Sequence, residues 1–437
     1  METSRETKLV TDYEREPVPV EKRKGWFRLS IVWLGAIIAL SAIILGGTLA
    51  GGMTITQSII ASFIGTFLLA CLSAACGVVG AKTHLSTSLV SAFALGRYGS
   101  YAVSVVLAIA LFGWFGVQLD LFGLSLAQII STTFGVEIHP KILVVIGGVL
   151  MTTTAVIGYK AIEKLSLLAV PLLGILIVAS LIKVATEGSG IKENLFGEPI
   201  SLGVAVSLII GSLAVGAIIG PDISRYAKSP KDAVISSFVG FFVGFSLVLI
   251  AAILLAKATS QVDIIAIMLG VGWGTGAMLV LILAQWTTND NNLYSSALGF
   301  SVIFRKMPKY QLTIIAGVIG TGMAIAGIYE NFIPFLVFLS ALIPPIGGIY
   351  VADYFFSKSK YSFENLDSIP AIQPVNIGVW IIASLGAFAT TPAPTGFGWF
   401  SITGASAFDA FLIALVLQAI VSKVMQSKEI PALKTAK

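Results

Sequence analysis

The stretch WTTNDNN, Trp286–Asn292, lies inside an otherwise apolar segment and decides how the rest of the chain is interpreted. The residues from Met278 to Phe304 predict one membrane-spanning helix, whose centre would carry two threonines, one aspartate and three asparagines. A polar group left unpaired in hydrocarbon costs several kcal/mol. Ionisable residues in such helices usually face the bundle interior or a water-filled cavity. The stretch therefore predicts a helix that lines a binding site at mid-membrane depth.

The composition of the whole chain agrees with a membrane location. Of its 437 residues, 56% are apolar and only 11% are charged, and the mean hydropathy is +0.95. Soluble domains carry roughly 25% charged residues, so an all-α polytopic membrane protein is the class that fits. The net charge of +5 lies almost wholly in loops and tails. It therefore reports topology and is no sign of a nucleic-acid partner.

Apolar segments long enough to cross a hydrocarbon core of ~30 Å recur along the chain. They predict twelve transmembrane helices, at 27–49, 54–76, 99–132, 141–159, 164–185, 200–222, 232–257, 276–303, 311–329, 332–354, 375–391 and 406–424. The third segment is unusually long, and a break is expected near Gly123. The stretch Val262–Leu269 is too short to span and predicts a helix lying over the outer mouth.

The Lys and Arg residues set the predicted orientation. With a cytoplasmic N-terminus, most of them fall on the inner side, and the outer side receives only Lys141, Lys183, Lys192 and Lys257. The prediction is a multi-pass protein of the cell inner (plasma) membrane, with both termini, 1–24 and 425–437, in the cytoplasm.

Two segments at corresponding positions contain helix-breaking residues. Segment one holds Gly35 and ends in GGTLAGG, Gly46–Gly52, while segment six reads GSLAVGAIIGPD, Gly211–Asp222. Glycine and proline destabilise helix interiors, although small residues also let membrane helices pack closely. Paired interrupted segments are typical of transporter sites. We therefore expect a core at 25–354 made of inverted five-helix repeats, at about 25–190 and 200–354, followed by two peripheral helices within 355–424.

Four motifs carry a resemblance to a known family. They are GWFG at Gly113–Gly116, PDISRY at Pro221–Tyr226, WTTNDNN, and IPPIGGIYVADY at Ile343–Tyr354. Together they resemble the nucleobase:cation symporter-1 family, with the cytosine permeases most similar, over about Gly25 to Tyr354. The resemblance implies the leucine-transporter fold, with a 5+5 inverted repeat plus two peripheral helices. It also implies uptake of a nucleobase or related heterocycle, cytosine first, usually by sodium symport with alternating access. No obligate protein partner is evident.

The threonine pair is the candidate ion site. Thr287 and Thr288 follow Ala284 by three and four residues, so the three share one helix face. Their hydroxyls either bond back to the preceding turn or join an ion site. The resemblance implies the second reading, with a sodium ion as the coupling ion. Its implied ligands are the two hydroxyls and the main-chain carbonyls of Gly35, Ala39 and Ala284.

A planar heterocycle requires an aromatic face and amides that both donate and accept. Trp114 lies near the middle of segment three, Gln118 follows one turn later, and Asn289 follows the threonine pair. Alternatively, Trp114 faces lipid and Gln118 bonds a neighbouring helix. The resemblance places these residues around the ligand, with Trp114 stacking and the two amides bonding the ring edge. It adds the break in segment six, namely Ser212, Leu213, Val215 and Gly216.

The chain departs from the cytosine-selective pattern at two positions. Leu111 and Leu213 stand where the resemblance implies a glutamine and an aromatic residue, while Gln118 resembles hydantoin- and allantoin-type members. A proton-coupled purine, allantoin or hydantoin-type permease is therefore the alternative, with Asp290 or Asp120 as proton carrier. For Asp290 a structural role is favoured, and Asp120 is a candidate for lining the entry path.

A channel would require a continuous polar path, and an enzyme would require a set of acids, bases or nucleophiles. Neither pattern is visible, so no catalytic activity is expected.

Overall fold

The computed structural model describes residues 16–157, 159–187, 193–304 and 306–435. Within these ranges the chain is helical, and the β pairing found there is a single isolated bridge between Lys24 and Ala227. The expected all-α class is confirmed. The first fifteen residues of the predicted N-terminal tail, and the orienting charges of Lys192 and Arg305, lie outside the described residues.

The helices of the first half of the chain follow the predicted segments, except that segment one is divided in two and a further helix, Thr87–Leu95, precedes segment three. They are α1 (Trp26–Ile37), α2 (Leu40–Gly52), α3 (Ile55–Thr83), α4 (Thr87–Leu95), α5 (Arg97–Phe134), α6 (Pro140–Ile157) and α7 (Tyr159–Thr186). A short 3-10 turn, Val20–Lys22, precedes α1.

The second half adds broken and short helices. They are α8 (Leu202–Ile218), α9 (Gly220–Ser224), α10 (Pro230–Ser237), a π-helical segment (Phe238–Gly244), α11 (Phe245–Thr259), α12 (Ile264–Gly270), α13 (Thr275–Ile303), α14 (Lys309–Ile325), α15 (Phe332–Leu342) and α16 (Pro344–Phe356). Two 3-10 turns, Lys358–Lys360 and Phe363–Ser368, then lead to α17 (Pro374–Thr390) and α18 (Ser406–Thr435).

Several helices are suited to a bilayer by length and composition. Among the described residues, five helical runs and one bent pair pass this test: Ile55–Thr83, Arg97–Phe134, Pro230–Thr259, Phe332–Phe356, Ser406–Met425 and the pair α1–α2. Large apolar side chains such as Phe67, Val149 and Leu385 are exposed on outward faces, as lipid contact requires. The apolar helices α8 and α17 are shorter, with 17 residues each. The α13 helix is continuous over 29 residues but carries its polar stretch in the middle. The count of twelve spans and the inverted repeat remain predictions.

The expected break near Gly123 is wrong, because α5 is continuous from Arg97 to Phe134. A Cβ atom at Gly123 would lie 2.8 Å from the carbonyl of Pro140 and would overlap Val144. The glycine therefore lets α5 pack closely against α6, which is the other common use of small residues in membrane helices.

The short helix expected near the outer mouth is present as α12. The carboxylate of Asp263 caps its N-terminus by accepting from the backbone N–H groups of Ile265 (2.9 Å) and Ala266 (3.1 Å). Asp263 also accepts a hydrogen bond from the Tyr329 hydroxyl at 2.9 Å. The α12 helix is thus tied to the turn between α14 and α15.

Candidate functional site

The first broken helix is the joint between α1 and α2, where the chain bends by 62°. Ala39 adopts an extended conformation, with φ −132° and ψ 156°. Its N–H donates to Ile37 at 2.8 Å, whereas in a regular α-helix it would donate to Gly35. A Cβ atom at Gly35 would meet nothing within 4 Å. The break therefore removes the helical partner of the Gly35 carbonyl, at a residue whose side-chain position is open.

The threonine pair lies on α13 as the sequence predicts. The hydroxyls of Thr287 and Thr288 both donate to the Ala284 carbonyl, at 3.0 and 2.9 Å. The structure thus shows the bond to the preceding turn, which was the alternative reading of this pair. A hydroxyl that donates in this way still has lone pairs to offer a cation. Because α13 contacts α2, the threonines lie on the helix that neighbours the break.

The second broken helix is formed by α8 and α9. Leu213 has non-helical angles, φ −121° and ψ 16°, which kink α8 in its interior. The Ser212 hydroxyl is used locally, donating to Ile209 at 2.8 Å. Val215 accepts from the backbone of Ile219 at 2.9 Å. The disruption expected in segment six is therefore present, at Leu213 and again at the junction with α9.

Gly216 lies on the face of α8 that meets two aromatic residues. A Cβ atom there would be 3.7 Å from Phe241 and 4.0 Å from Trp33. These two rings pack with centroids 4.7 Å apart. Trp33 belongs to α1 and Phe241 to the π-helical segment, so α8 packs beside an aromatic pair to which the first broken helix contributes Trp33. Sequence reasoning missed both residues.

Trp114 does not face lipid, since it is only 7% exposed. Its ring meets Phe335 and Phe332 edge-on, with centroids 5.4 and 6.0 Å apart. A Cβ atom at Gly113 would overlap Phe335, so the glycine before the tryptophan lets α15 approach. The aromatic residues of α15 were missed from sequence, although their crowding in FIPFLVF at Phe332–Phe338 was a visible signal.

Gln118 lies one turn after Trp114 on α5 and is 1% exposed. Its Oε1 atom is buried and meets no hydrogen-bond donor in the described part of the chain. A buried acceptor without a donor is costly. Gln118 is therefore available to accept a hydrogen bond from a ligand.

Asn289 joins α13 to two neighbouring helices. Its Nδ2 atom donates to the Phe115 carbonyl at 3.2 Å and contacts the Met151 sulfur at 3.3 Å. Its Oδ1 atom is buried and has no partner among the residues described. The donor side of the amide thus holds α13 against α5 and α6, and the acceptor side is left for a ligand.

Asp290 takes part in a hydrogen-bond chain between α13 and α6. Its Oδ1 atom accepts from the Thr154 hydroxyl at 2.8 Å, and the same hydroxyl oxygen accepts from the Trp286 indole at 3.0 Å. Its Oδ2 atom is buried without a partner in the ranges that the structure describes. This arrangement fits the structural role favoured for Asp290, with Thr154 as the donor that sequence reasoning did not identify.

Asp120 lies apart from this cluster. It is half-buried on α5 and close to the backbone of Tyr329 in the turn between α14 and α15. The same turn holds α12 through Asp263. Asp120 therefore borders the end of the helix bundle capped by α12, and its role in an entry path stays a prediction.

A helical membrane protein with two interrupted helices beside a polar, partly unsatisfied helix centre has the architecture of a secondary transporter. Comparison with known proteins agrees: residues 17–367 match the family described as "Permease for cytosine/purines, uracil, thiamine, allantoin". The chain belongs to this family, the nucleobase:cation symporter-1 family, and it is a nucleobase transporter of the membrane. The resemblance inferred from its motifs is confirmed.

One curated relative and two solved structures show how far the similarity extends. The chain is 36% identical to the cytosine permease of Escherichia coli (strain K12) over 354 residues, which cover 80% of this chain and 82% of that protein. The inward-facing conformation of Mhp1 matches with a TM-score of 0.81 and 19% identity, covering 98% of this chain and 96% of that one. Mhp1 in a closed conformation with bromovinylhydantoin bound matches with a TM-score of 0.71 and 19% identity, covering 94% and 96%.

Proposed function

We propose that this protein imports a nucleobase or related heterocycle by sodium symport with alternating access. It would act in the cell inner membrane with both termini in the cytoplasm. Sodium would bind at the first helix break, between the Gly35 and Ala39 carbonyls on one side and Ala284, Thr287 and Thr288 on the other. The heterocycle would bind beside Trp114.

The observation that carries the sodium proposal is the rearranged hydrogen bond at the first break. Because Ala39 donates to Ile37, the Gly35 carbonyl is released from its helical partner. Sodium prefers several hard oxygen ligands, and interrupted membrane helices provide them through their freed carbonyls. Two threonine hydroxyls on the neighbouring α13 complete a set of uncharged oxygen atoms. Such a set is suited to a monovalent cation, which needs little negative charge to hold it.

The substrate proposal rests on unsatisfied groups around Trp114. Gln118 Oε1 and Asn289 Oδ1 are buried acceptors without donors among the described residues, and the N–H edge of a heterocycle would satisfy them. Trp114 would present a ring face to the ligand, beside Phe332 and Phe335, whose rings lie steeply inclined to it. Ser212, Leu213, Val215 and Gly216 would supply the wall formed by α8.

Two observations favour different heterocycles as the substrate. The curated relative with 36% identity is a cytosine permease, whereas Leu111 and Leu213 replace polar and aromatic residues implied for cytosine. An apolar wall at these positions removes hydrogen-bonding and stacking partners. Cytosine is therefore the first compound to test, and hydantoin and allantoin are the next.

Alternating access is supported by the fold comparison. The chain superposes better on the inward-facing conformation of Mhp1 than on its closed conformation, with TM-scores of 0.81 and 0.71. We infer that the arrangement described above is inward-facing. The two broken helices, which approach each other where Gly216 of α8 lies near Trp33 of α1, would be the elements that rearrange around a fixed central site.

Proton coupling is the second candidate, and one observation favours it. Asp290 carries a buried oxygen, Oδ2, that has no partner in the described ranges. A carboxyl group in this position could carry a proton across the membrane. Thr154 already holds the other oxygen, which is why a structural role is preferred.

The test of the proposed function is uptake into liposomes that contain the purified protein. Radiolabelled cytosine, hydantoin, allantoin and purines would be offered with an inward sodium gradient, with a proton gradient, and with neither. The proposal expects saturable uptake of at least one compound that the sodium gradient drives. Uptake driven only by protons would favour the second candidate, and unsaturable flux without either gradient would indicate a channel.

A further inference from the structure

A cavity lies at the end of the bundle predicted to be cytoplasmic, among the peripheral helices. It has a volume of about 390 Å³ and is bordered by α4, α17, α18 and the end of α16. Sites for small molecules in proteins measure roughly 300–1,000 Å³, so this cavity is large enough for a single-ring heterocycle. Its lining residues include none of those proposed for the sodium or substrate sites.

The charges in this cavity neutralise each other. Asp353 is 4% exposed, and its Oδ2 atom accepts from the Lys360 ammonium at 2.8 Å and from the Tyr361 hydroxyl at 2.5 Å. Burial, together with the adjacent Asp353 carboxylate, raises the pKa of Tyr361 well above its usual range, so the phenol keeps its proton and donates it. A ligand of this cavity therefore needs no net charge.

One buried amide in the cavity wall is left half satisfied. Asn376 is 2% exposed, and its Nδ2 atom donates to the Ala94 carbonyl at 2.6 Å. Its Oδ1 atom is buried and finds no donor within the described ranges. Gln373 lines the same cavity beside the apolar side chains of Phe93 and Ile369. This combination of an unpaired acceptor, a second amide and apolar surface suits a small neutral molecule with an N–H edge.

We propose that the cavity is a second binding site for a neutral, N–H-bearing heterocycle, of the same chemical class as the transported substrate. Occupied from the cytoplasm, it would slow further import when substrate accumulates inside. This inference rests on the proposed function, because it takes the ligand class from it.

A direct path connects the cavity to the second broken helix. Asp353 in the cavity wall follows Tyr350 by three residues on α16, so both lie on one helix face. Tyr350 is completely buried, and its hydroxyl donates to the Ile218 carbonyl, at the end of α8, at 2.7 Å. A ligand that fixes the end of α16 also holds Tyr350 against Ile218. It would thereby oppose the movement of the broken helix that alternating access requires.

The number of binding sites tests the inference. The binding of radiolabelled cytosine and the binding of radiolabelled hydantoin would be measured in separate equilibrium-dialysis experiments in sodium. Each experiment would use purified wild-type protein and three variants. We expect two sites in the wild type and in Asp367→Asn, a control for an exposed residue next to the cavity. Trp114→Ala should keep only the cytoplasmic site. Asn376→Leu should keep only the central site, because a lost hydrogen bond to a buried amide weakens binding by about tenfold or more.

Transport gives the second readout. Liposomes loaded with the unlabelled probe should take up labelled probe severalfold more slowly with the wild type than with Asn376→Leu. The comparison uses identical internal loading, so any acceleration by exchange is common to both proteins. Should Asn376→Leu fail to fold, Gln373→Ala replaces a half-buried residue of the cavity wall and is expected to weaken the same site.

The outcomes separate the two proposals. A single site in the wild type that Trp114→Ala abolishes would overturn the second site and leave the proposed function standing. Two sites that both survive Trp114→Ala would instead contradict the proposed central pocket. Equal sensitivity to internal probe in wild type and a folded cavity variant would overturn the inhibitory role. Binding of neither probe, and of neither allantoin nor purines in the same assay, would overturn both proposals.

Discussion

The hydroxyl of Tyr350 donates a 2.7 Å hydrogen bond to the carbonyl of Ile218, 132 residues earlier in the chain. Ile218 is the last residue of α8, so its carbonyl belongs to the group that a helix end leaves without a partner. The Tyr350 hydroxyl on α16 therefore provides the hydrogen-bond donor for the carbonyl at the end of α8, in the second broken helix. It joins the motif IPPIGGIYVADY to the break that precedes PDISRY.

Tyr350→Phe should destabilise the protein through this bond. Removing the hydroxyl leaves a buried carbonyl unpaired, which costs about 1–3 kcal/mol, and the initial uptake rate should change because the broken helix loses this restraint. Thermal unfolding and initial uptake rates would be compared with Tyr354→Phe, a substitution one turn later on α16. If the two variants have the same stability and rate, the Tyr350 bond does not support the break.

Trp114→Ala should weaken the binding of every transported heterocycle to a similar extent. Stacking of a base on an aromatic ring contributes about 1–3 kcal/mol per base, so affinity should fall by roughly one to two orders of magnitude. Trp114→Phe should retain part of it. Binding would be followed by titration with a panel of cytosine, purines, hydantoin and allantoin. Wild-type affinity for all of them in Trp114→Ala would mean that the pocket is elsewhere.

Gln118→Ala should discriminate among the same compounds. Its buried Oε1 atom can accept from a ligand N–H, and losing that bond costs about 1–3 kcal/mol only for ligands that carry a donor at that edge. The ratio of variant to wild-type affinity should therefore vary across the panel. An equal loss for all ligands would assign Gln118 to helix packing.

Thr154→Val should reveal the structural role of Asp290. The substitution removes the hydroxyl that donates to Asp290 and accepts from Trp286, so the free energy of unfolding should fall by about 1–3 kcal/mol. Thr153→Val is the matched control, because Thr153 is exposed and bonds only its own helix turn among the contacts described.

A double-mutant cycle sharpens this test. In an Asp290→Asn background, Thr154→Val should cost less than in the wild type, since residues within one hydrogen-bond network are not additive. Fully additive costs would show that Thr154 and Asp290 do not act together. If the wild type shows proton-driven uptake and Asp290→Asn abolishes it, the result would instead favour Asp290 as a proton carrier.

The sequence alone predicted the all-α class and both interrupted helices, because hydrophobic length and glycine or proline content act locally. It also predicted Trp114, Gln118 and the threonine pair as candidate site residues, since polar residues at membrane depth are costly unless they are paired or bind a ligand, and an aromatic ring beside them can stack on a planar ligand. The break expected at Gly123 was wrong because the same residue type also serves close helix packing, as it does against Pro140 and Val144.

The contacts between helices could not be predicted in this way. Thr154 and Asp290 are 136 residues apart, and each has several possible partners on a helical face. The bond from Tyr350 to Ile218 depends on which helices pack together, a property of the fold as a whole. Phe332 and Phe335 belong to an aromatic-rich helix whose side facing Trp114 became apparent only in three dimensions.

The central claim is that sodium, bound at the first helix break, and the heterocycle, bound beside Trp114, bind in a coupled manner. Binding of the best-transported compound would be titrated at fixed pH in sodium and in potassium, on the wild type and on Thr288→Ala. The account predicts roughly 5–150-fold tighter binding in sodium, the same factor for sodium when the heterocycle is present, and a much smaller effect in Thr288→Ala. Equal affinity in sodium and potassium, or an unchanged sodium response in Thr288→Ala, would contradict it.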